Sequence, residues 1–201
     1  ALWDAGALPV AIPYVEEAIT HYLDLCRGIV TPGGRYPFPD SWYGKGANAD
    51  SPFPRARFEA EITRAALDAD KPLLGICCGM QVIGGVLGAK IHENVMDAIE
   101  TEIDHLDEKP AEEDAHPIRI VEGSLLHRIA GATEMDVNTA HREALFDVPE
   151  GIAVTATAPD GVIEAIEVPG RRFALGVQWH PEFYESGPNR ALFEALVAAG
   201  E

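Results

Sequence analysis

Lys71-Pro72-Leu73-Leu74-Gly75-Ile76-Cys77-Cys78-Gly79-Met80-Gln81 is the stretch on which the fold turns. Its first half is a short apolar run of the kind that makes a strand buried on both faces, and Met80 to Leu87 reads as the start of an apolar helix. Cys77 therefore falls on a strand-to-helix bend. Such a bend needs glycine two residues before and after the nucleophile, because a Cβ at either place would collide across it. Gly75 and Gly79 stand at those places for Cys77, whereas Cys78 would have Ile76 and Met80 there. Cys77 is thus the candidate nucleophile. The positive end of the helix backbone and a nearby imidazolium would favour its thiolate. The bend also points the N–H of Cys78 to where an oxyanion would develop. An isolated cysteine is more simply a small buried hydrophobe; the flanking glycines separate Cys77 from that reading.

A partner for the thiol comes from far along the chain. Phe173-Ala174-Leu175-Gly176-Val177-Gln178-Trp179 reads as a strand leading into His180-Pro181-Glu182. Residues i and i+2 of a strand project to the same side, so the Glu182 carboxylate can reach the His180 imidazole. Pro181 removes a donor and ends the ladder. A carboxylate held by one ring nitrogen selects the tautomer that turns the other toward the thiol. His-x-Glu alone is weak evidence, since such pairs are usually surface or core contacts. With the bend at Cys77 it completes a nucleophile, a base and an orienter.

These residues resemble the class I glutamine amidotransferase superfamily, and more narrowly its γ-glutamyl hydrolase branch, peptidase family C26, which includes γ-glutamyl-γ-aminobutyrate hydrolases. Ala5 to Pro13 is similar to that family's first helix and second strand, and Gly28-Ile29-Val30-Thr31-Pro32-Gly33-Gly34 to its oxyanion strand and loop. Val137-Asn138-Thr139-Ala140-His141 is similar to its Val-Asn-Ser-x-His segment, and Asp160-Gly161-Val162-Ile163-Glu164-Ala165 to its Asp-Gly-x-Ile-Glu-Ala strand. The resemblance implies Cys77, His180 and Glu182 as a triad and the N–H groups of Gly34 and Cys78 as an oxyanion hole. Gln81, His141 and Gly33 would contact the substrate. It implies hydrolysis of a small-molecule γ-glutamyl amide through a cysteine acyl-enzyme, releasing glutamate and an amine, without a cofactor. Independently, glycines at 33 and 34 let backbone amides approach a reacting carbonyl, although Pro-Gly-Gly is otherwise an ordinary tight turn.

Two positions depart from the pattern. Cys78 stands where arginine often follows the nucleophile, and Arg142 and Glu143 replace the His and Gln that often follow the Val-Asn-Ser-x-His segment. Both lie where substrate selection is expected, so the leaving amine stays open. Three rival readings stand beside hydrolysis. A glutaminase component supplying ammonia to a partner synthase uses the same triad, but the long loop after Gly34 is more like that of the stand-alone hydrolases. A DJ-1-type protein commonly has histidine directly after its cysteine and lacks His-Pro-Glu. A catalytically silent binding module is disfavoured by three chemically competent triad positions.

The rest of the chain agrees with one α/β domain over residues 1–201. With 47% hydrophobic residues, 201 residues can bury roughly 70% of the surface exposed when unfolded. Glu16 to Leu25 reads as helix, Gly28 to Thr31 as strand, Arg35 to Arg55 as a long aromatic loop, and Arg57 to Asp68 as helix. The loop is a wall or lid over the site, or a packed surface segment. From Ile118 onward short strands dominate, at Ala153 to Ala158 and Val162 to Val168, before a closing helix from Asn189 to Ala199. The expected fold is therefore a mostly parallel central sheet flanked by helices, flavodoxin-like, with an antiparallel β extension and the active site at strand carboxyl ends. The chain enters the family pattern inside its first helix, so the strand that normally precedes it is expected to be missing.

Net charge is −18, from 33 acidic and 15 basic residues, which argues against nucleic acid and anionic membrane surfaces as partners. It suits solubility, or more narrowly a cationic, polyamine-derived substrate. The acidic stretch Asp107 to Asp114 reads as a solvated loop. No apolar run approaches the ~20 residues of a membrane-spanning helix. Three cysteines, two adjacent, make no disulfide framework, Cys26 is expected to pack structurally, and a thiol nucleophile points to the cytoplasm. A homodimer stays open. His92-Glu93 lacks the second histidine of a helical zinc motif, so no metal site is expected.

Overall fold

A computed structural model describes residues 1–46, 51, 53–106, 110–184 and 187–201. Asp107 to Lys109, within the acidic loop, and 47–50 and 52, within the aromatic loop, lie outside the described residues.

In chain order, a 3-10 turn over Glu16–Ala18 leads into α1 (Ile19–Leu25), β1 (Ile29–Thr31), α2 (Pro54–Asp68), β2 (Leu73–Ile76) and α3 (Cys78–Val86). There follow β3 (Lys90–His92), α4 (Val95–Ala98), β4 (His116–Ile120), α5 (Leu125–Ala130), β5 (Glu134–Val137) and β6 (Ala144–Phe146). The chain closes with β7 (Ala153–Thr157), β8 (Ile163–Glu167), β9 (Ala174–Val177), a 3-10 turn over Pro181–Phe183, and α6 (Gly187–Ala199). Local chemistry sets several of these limits. Pro54 opens α2 at a position where no N–H is needed. Ser124 caps α5 through its hydroxyl, which accepts from His127 N at 2.9 Å, and Gly131 ends that helix in the left-handed region at φ 68°.

One sheet of seven strands runs β1-β2-β9-β8-β7-β4-β5, and β3 pairs with β6 in a separate ribbon. The fold class is the expected one, with its balance shifted. Parallel pairing joins only β1, β2 and β9, while β8, β7, β4 and β5 extend the sheet antiparallel. A parallel pair needs a crossover, and α2 supplies the one between β1 and β2. The strands after residue 116 are joined mainly by short connections, and these favour antiparallel neighbours.

β2 and β9 are buried along their whole length, as the apolar run predicts. Their side chains alternate between two cores. Leu73 and Ala174 join Ile62, Phe58 and Ile83 on the α2 and α3 side, while Leu74, Ile76, Leu175 and Val177 pack with Leu126, Leu192 and Phe193 beneath α5 and α6. Truncating one of these leucines to alanine removes about 2–5 kcal/mol. The sheet is thus a rigid platform, and the carboxyl ends of β2 and β9 lie side by side.

The expected strand within Ala5 to Pro13 is not formed: residues 2–6 make a turn and 7–15 have no regular structure. A strand exists through a ladder partner. The described residues offer this segment none, and Leu8 and Val10 are exposed.

Candidate active site

Cys77 follows β2 directly and is the residue from which α3 starts. Its φ of 50° and ψ of −105° lie in a region that non-glycine residues seldom occupy, at a cost of about 1–3 kcal/mol. The surroundings hold it there. Cys77 N donates to Val177 O at 2.7 Å, continuing the ladder to β9 past the end of the strand. A Cβ on Gly75 would meet the Gly79 carbonyl, and one on Gly79 would run into Thr31 backbone. Only glycine fits at either place.

Its neighbour is in a different environment. Cys78 is 1% exposed and packs into the core beneath α2. Burial raises its thiol far above the usual cysteine range; a hydrogen bond with Tyr36 opposes this, and the Glu59 charge adds to it. Cys78 is therefore held as a thiol.

His180 lies three residues beyond the end of β9, near enough to Cys77 for the sulfur to raise its pKa. Its Nδ1 is 2.7 Å from Glu182 Oε1. The pair forms as foreseen, but by another local geometry: β9 stops at Val177, and Pro181–Phe183 is a 3-10 turn that swings the carboxylate back under the ring. Burial opposes a charge on His180; the hydrogen bonds to Cys77 and Glu182 and the charges behind them outweigh it and push the imidazolium pKa up to about 10. Asn138 fixes the backbone at this point, with Oδ1 accepting from His180 N at 2.8 Å and Nδ2 donating to His180 O at 3.0 Å. Gly33 lies against the Cε1 edge of the ring, where a Cβ would fall 2.6 Å from Cε1.

The loop carrying Gly33 and Gly34 is clamped by a residue outside the sequence-based candidates. Arg55, in the first turn of α2, donates through Nη2 to Gly33 O at 2.8 Å and Pro32 O at 3.2 Å, and through Nε to Glu59 Oε1 at 2.8 Å. Its guanidinium occupies the space a Cβ on Gly34 would take and lies over the Tyr36 ring, 5.0 Å from the centroid. Tyr36 in turn donates its hydroxyl proton to Glu59. Arg-x-x-x-Glu on a helix is the signal, but as an i,i+4 pair it is read as surface decoration.

A cavity of about 490 Å³ opens over Cys77, with Gly34, Tyr36 and Tyr43 on one side and Gln81, His141 and Glu143 on another. The described part of the aromatic loop is thus a wall of it. Phe38 packs against Trp42 and Tyr43, and Trp42 lies over Gly85 of α3. Two candidate substrate contacts are turned elsewhere. Gln81 Nε2 donates to Glu143 O at 2.8 Å and to Gln178 Oε1 at 3.2 Å, using both amide hydrogens, and Gln178 Nε2 reaches Cys77 Sγ at 3.6 Å. His141 is 3% exposed, with Nδ1 on Glu143 O at 3.0 Å and Nε2 3.2 Å from His105 Nδ1. Both shape the cavity floor through protein partners. A larger cavity, about 580 Å³ between α2, α3 and β3, holds none of the candidate residues.

Beside that floor lies a buried cluster absent from the sequence reading, in which His105, His116 and His141 surround Glu164. Burial pushes the Glu164 carboxyl up to about 7, against the pull of His116 and His105. The members stand too far apart in the chain to form any local motif.

The comparisons with known proteins agree with this geometry. The Peptidase C26 profile matches residues 1–182. The γ-glutamyl-γ-aminobutyrate hydrolase PuuD of Escherichia coli strain K12 is 31% identical over 211 residues, which cover 99% of this chain and 83% of that protein. Among solved structures, the glutaminase domain of Trypanosoma brucei CTPS with bound acivicin is 21% identical, with a TM-score of 0.71 over 99% of this chain and 83% of that one. A glutamine amido transferase from Methylobacillus flagellatus is 17% identical, with a TM-score of 0.57 over 88% of this chain and 55% of that one. Both structures carry the same fold as this chain. Among the described residues no helix is long and apolar enough to cross a membrane. With a profile matching nearly the whole sequence and a relative at 31% identity along its length, the chain belongs to the Peptidase C26 family.

Proposed function

We propose that this chain hydrolyses a γ-glutamyl amide of a small amine through a thioester on Cys77. The Cys77 thiolate adds to the δ-carbon of the substrate, and the N–H groups of Gly34 and Cys78 donate hydrogen bonds to the oxygen on which charge develops. As the C–N bond breaks, His180 gives its proton to the departing amine. Water then enters; His180 takes a proton from it, the hydroxide adds to the thioester carbon, and the C–S bond breaks to return the thiolate and glutamate. Glu182 holds the imidazole in register throughout.

The observation that carries this reading is the His180–Glu182 pair and the Cys77 elbow, brought together at the carboxyl ends of two adjacent parallel strands. The likeness to PuuD supports a γ-glutamyl substrate. Arg35 and Arg142 line the cavity together with Asp40, Glu93 and Glu143, so the amine end of the substrate meets both signs of charge.

The test is to incubate the protein with a glutamine-analogue alkylator, map the adduct by mass spectrometry, and assay release of glutamate. The assay compares the γ-glutamyl conjugates of GABA, ethanolamine, putrescine and folate with free glutamine. An adduct on Cys77 together with turnover of a conjugate in preference to glutamine is expected. Labelling elsewhere, or no turnover of any conjugate by alkylator-reactive protein, counts against it.

A further inference from the structure

The buried cluster behind the cavity turns several donor atoms toward one another without satisfying them. His105 Nε2 is 2.9 Å from Asp160 Oδ2, His116 Nδ1 is 3.2 Å from Pro117 O, and His141 Nδ1 is 3.0 Å from Glu143 O. Each of those partners is an acceptor, so each ring places a proton on its outward nitrogen. In a neutral ring the inward nitrogen carries the lone pair. His105 Nδ1, His116 Nε2 and His141 Nε2 lie 3.6, 3.7 and 3.5 Å from Glu164 Oε1, and His105 Nδ1 is 3.2 Å from His141 Nε2.

Four electron-pair donors thus face one another out of contact with water. Glu164 is 0% exposed, and among the described residues neither of its carboxylate oxygens has a hydrogen-bond partner; the same holds for His116 Nε2. Among the described residues, the charged or chargeable groups facing Glu164 are the three imidazoles and Asp160. A buried carboxylate without a counter-charge is costly, and two imidazole lone pairs in contact repel. The separations are informative. An ion with bonds of 2.0–2.2 Å to a tetrahedron of N and O donors sets them about 3.3–3.6 Å apart, and the three distances to Glu164 Oε1 and the one between His105 and His141 span 3.2–3.7 Å.

We propose that His105 Nδ1, His116 Nε2, His141 Nε2 and the Glu164 carboxylate hold one divalent transition-metal ion of the zinc class. The donor set decides the ion: imidazole nitrogens with a single carboxylate suit zinc-like metals, whereas calcium and magnesium take oxygen. Four protein ligands leave no open position, so the site is structural. The outer contacts have the form such sites need, with Asp160 and two backbone carbonyls fixing which ring nitrogen faces the ion.

The ion would tie together pieces that are distant in sequence: the segment at His105, the first residue of β4, the turn after β5, and β8. Its link to Cys77 can be traced bond by bond. Glu143 O, which holds His141, also accepts from Gln81 Nε2, and Gln81 bonds to Gln178, which reaches Cys77 Sγ. The ion therefore braces the cavity floor from behind.

The test reads metal directly, so its failure is separable from failure of the hydrolase reading. The protein as isolated is assayed for bound metal by elemental mass spectrometry, stripped with a chelator, and titrated with Co²⁺. The titration is repeated on a Cys77→Ser/Cys78→Ser variant, which removes thiolate ligands from the elbow. We expect one equivalent of ion per chain, the visible d–d absorption of tetrahedral Co²⁺ without a thiolate charge-transfer band, and a higher melting temperature with Zn²⁺ than after stripping. His116→Gln and Glu164→Gln should each weaken the ion by about 100-fold or more. Protein isolated without metal, with neither Co²⁺ absorption nor a thermal shift on adding Zn²⁺, overturns the proposal. So does a shift that both variants retain. Should the variants not fold, the titration of the otherwise unaltered protein decides alone.

Discussion

Gly75 and Gly79 face each other across the elbow so closely that a Cβ on Gly75 would lie 2.5 Å from the Gly79 carbonyl oxygen. The opposing atom is backbone, which cannot rotate away. Gly75→Ala and Gly79→Ala should each cost about 3 kcal/mol or more, the upper range of overpacking, and denaturant unfolding measures it. Gly28→Ala is the control, because its Cβ would meet neighbours only at 3.4–3.6 Å. That variant should lie within about 1 kcal/mol of the parent protein.

The two adjacent cysteines should separate in an alkylation experiment. Cys78 is buried in the core and held as a thiol, whereas Cys77 lines the cavity beside His180. Cys77→Ser should abolish labelling by a glutamine-analogue alkylator, and Cys78→Ser should leave the Cys77 adduct in place. Adduct mapping on the two variants checks it.

Much of this could be read beforehand from elements that declare themselves locally. The glycine spacing around Cys77 and the doubly buried runs of β2 and β9 depend on neighbours in sequence, so they were legible. The expected strand between Ala5 and Pro13 failed because a strand is a property of a pair, and its partner cannot be seen in its own residues. Arg55 and the His105, His116 and Glu164 set were illegible for a similar reason. Their meaning comes from side chains of distant segments meeting in space, and each residue read alone is an ordinary helix arginine or core histidine.

His180 should carry its proton well above neutrality. Its folded pKa is pushed up to about 10 from an ordinary 6.5, so between those values the native chain holds a proton that the unfolded chain has released. The His180 contribution to stability is therefore complete below pH 6.5 and is lost as pH rises through about 10. Ring chemical shifts followed against pH should place the midpoint near the upper value. Cys77→Ser, which removes the first of the favourable contacts, should move it down.

Glu182→Gln keeps the shape of the turn and removes the charge that orients His180. The hydrogen bond at 2.7 Å is partly solvated, with the carboxylate side chain 34% exposed, so the loss should fall at the lower end of the range for such partners. A decrease in kcat of about 10²-fold, with a much smaller change in KM, is expected from steady-state kinetics.

Asn138 acts on His180 through the backbone, and its removal should show in both stability and rate. Asn138→Ala leaves His180 N and O, together with Ala111 O, without the partners they have at 2.8, 3.0 and 2.5 Å. Loss of these buried bonds should cost about 2–3 kcal/mol. kcat should fall as the imidazole loses its fixed position, while adduct formation still maps to Cys77. Asn138→Asp keeps the acceptor and loses both donations, so it should not restore the parent rate.

Arg55 and Gly34 offer a test of the oxyanion loop that distinguishes packing from positioning. The guanidinium sits where a Gly34 side chain would go, and it is the end of a flexible chain, so Gly34→Ala should displace it at modest cost in stability. That displacement releases Pro32 O and Gly33 O from their hydrogen bonds. Both Gly34→Ala and Arg55→Ala should therefore lower kcat, each by about 10²-fold if the loop amide serves the oxyanion. The double variant relieves the clash without restoring the clamp. It should regain stability relative to Gly34→Ala and stay as slow as Arg55→Ala, a non-additive pattern that thermal melts and kinetics on the four proteins can read.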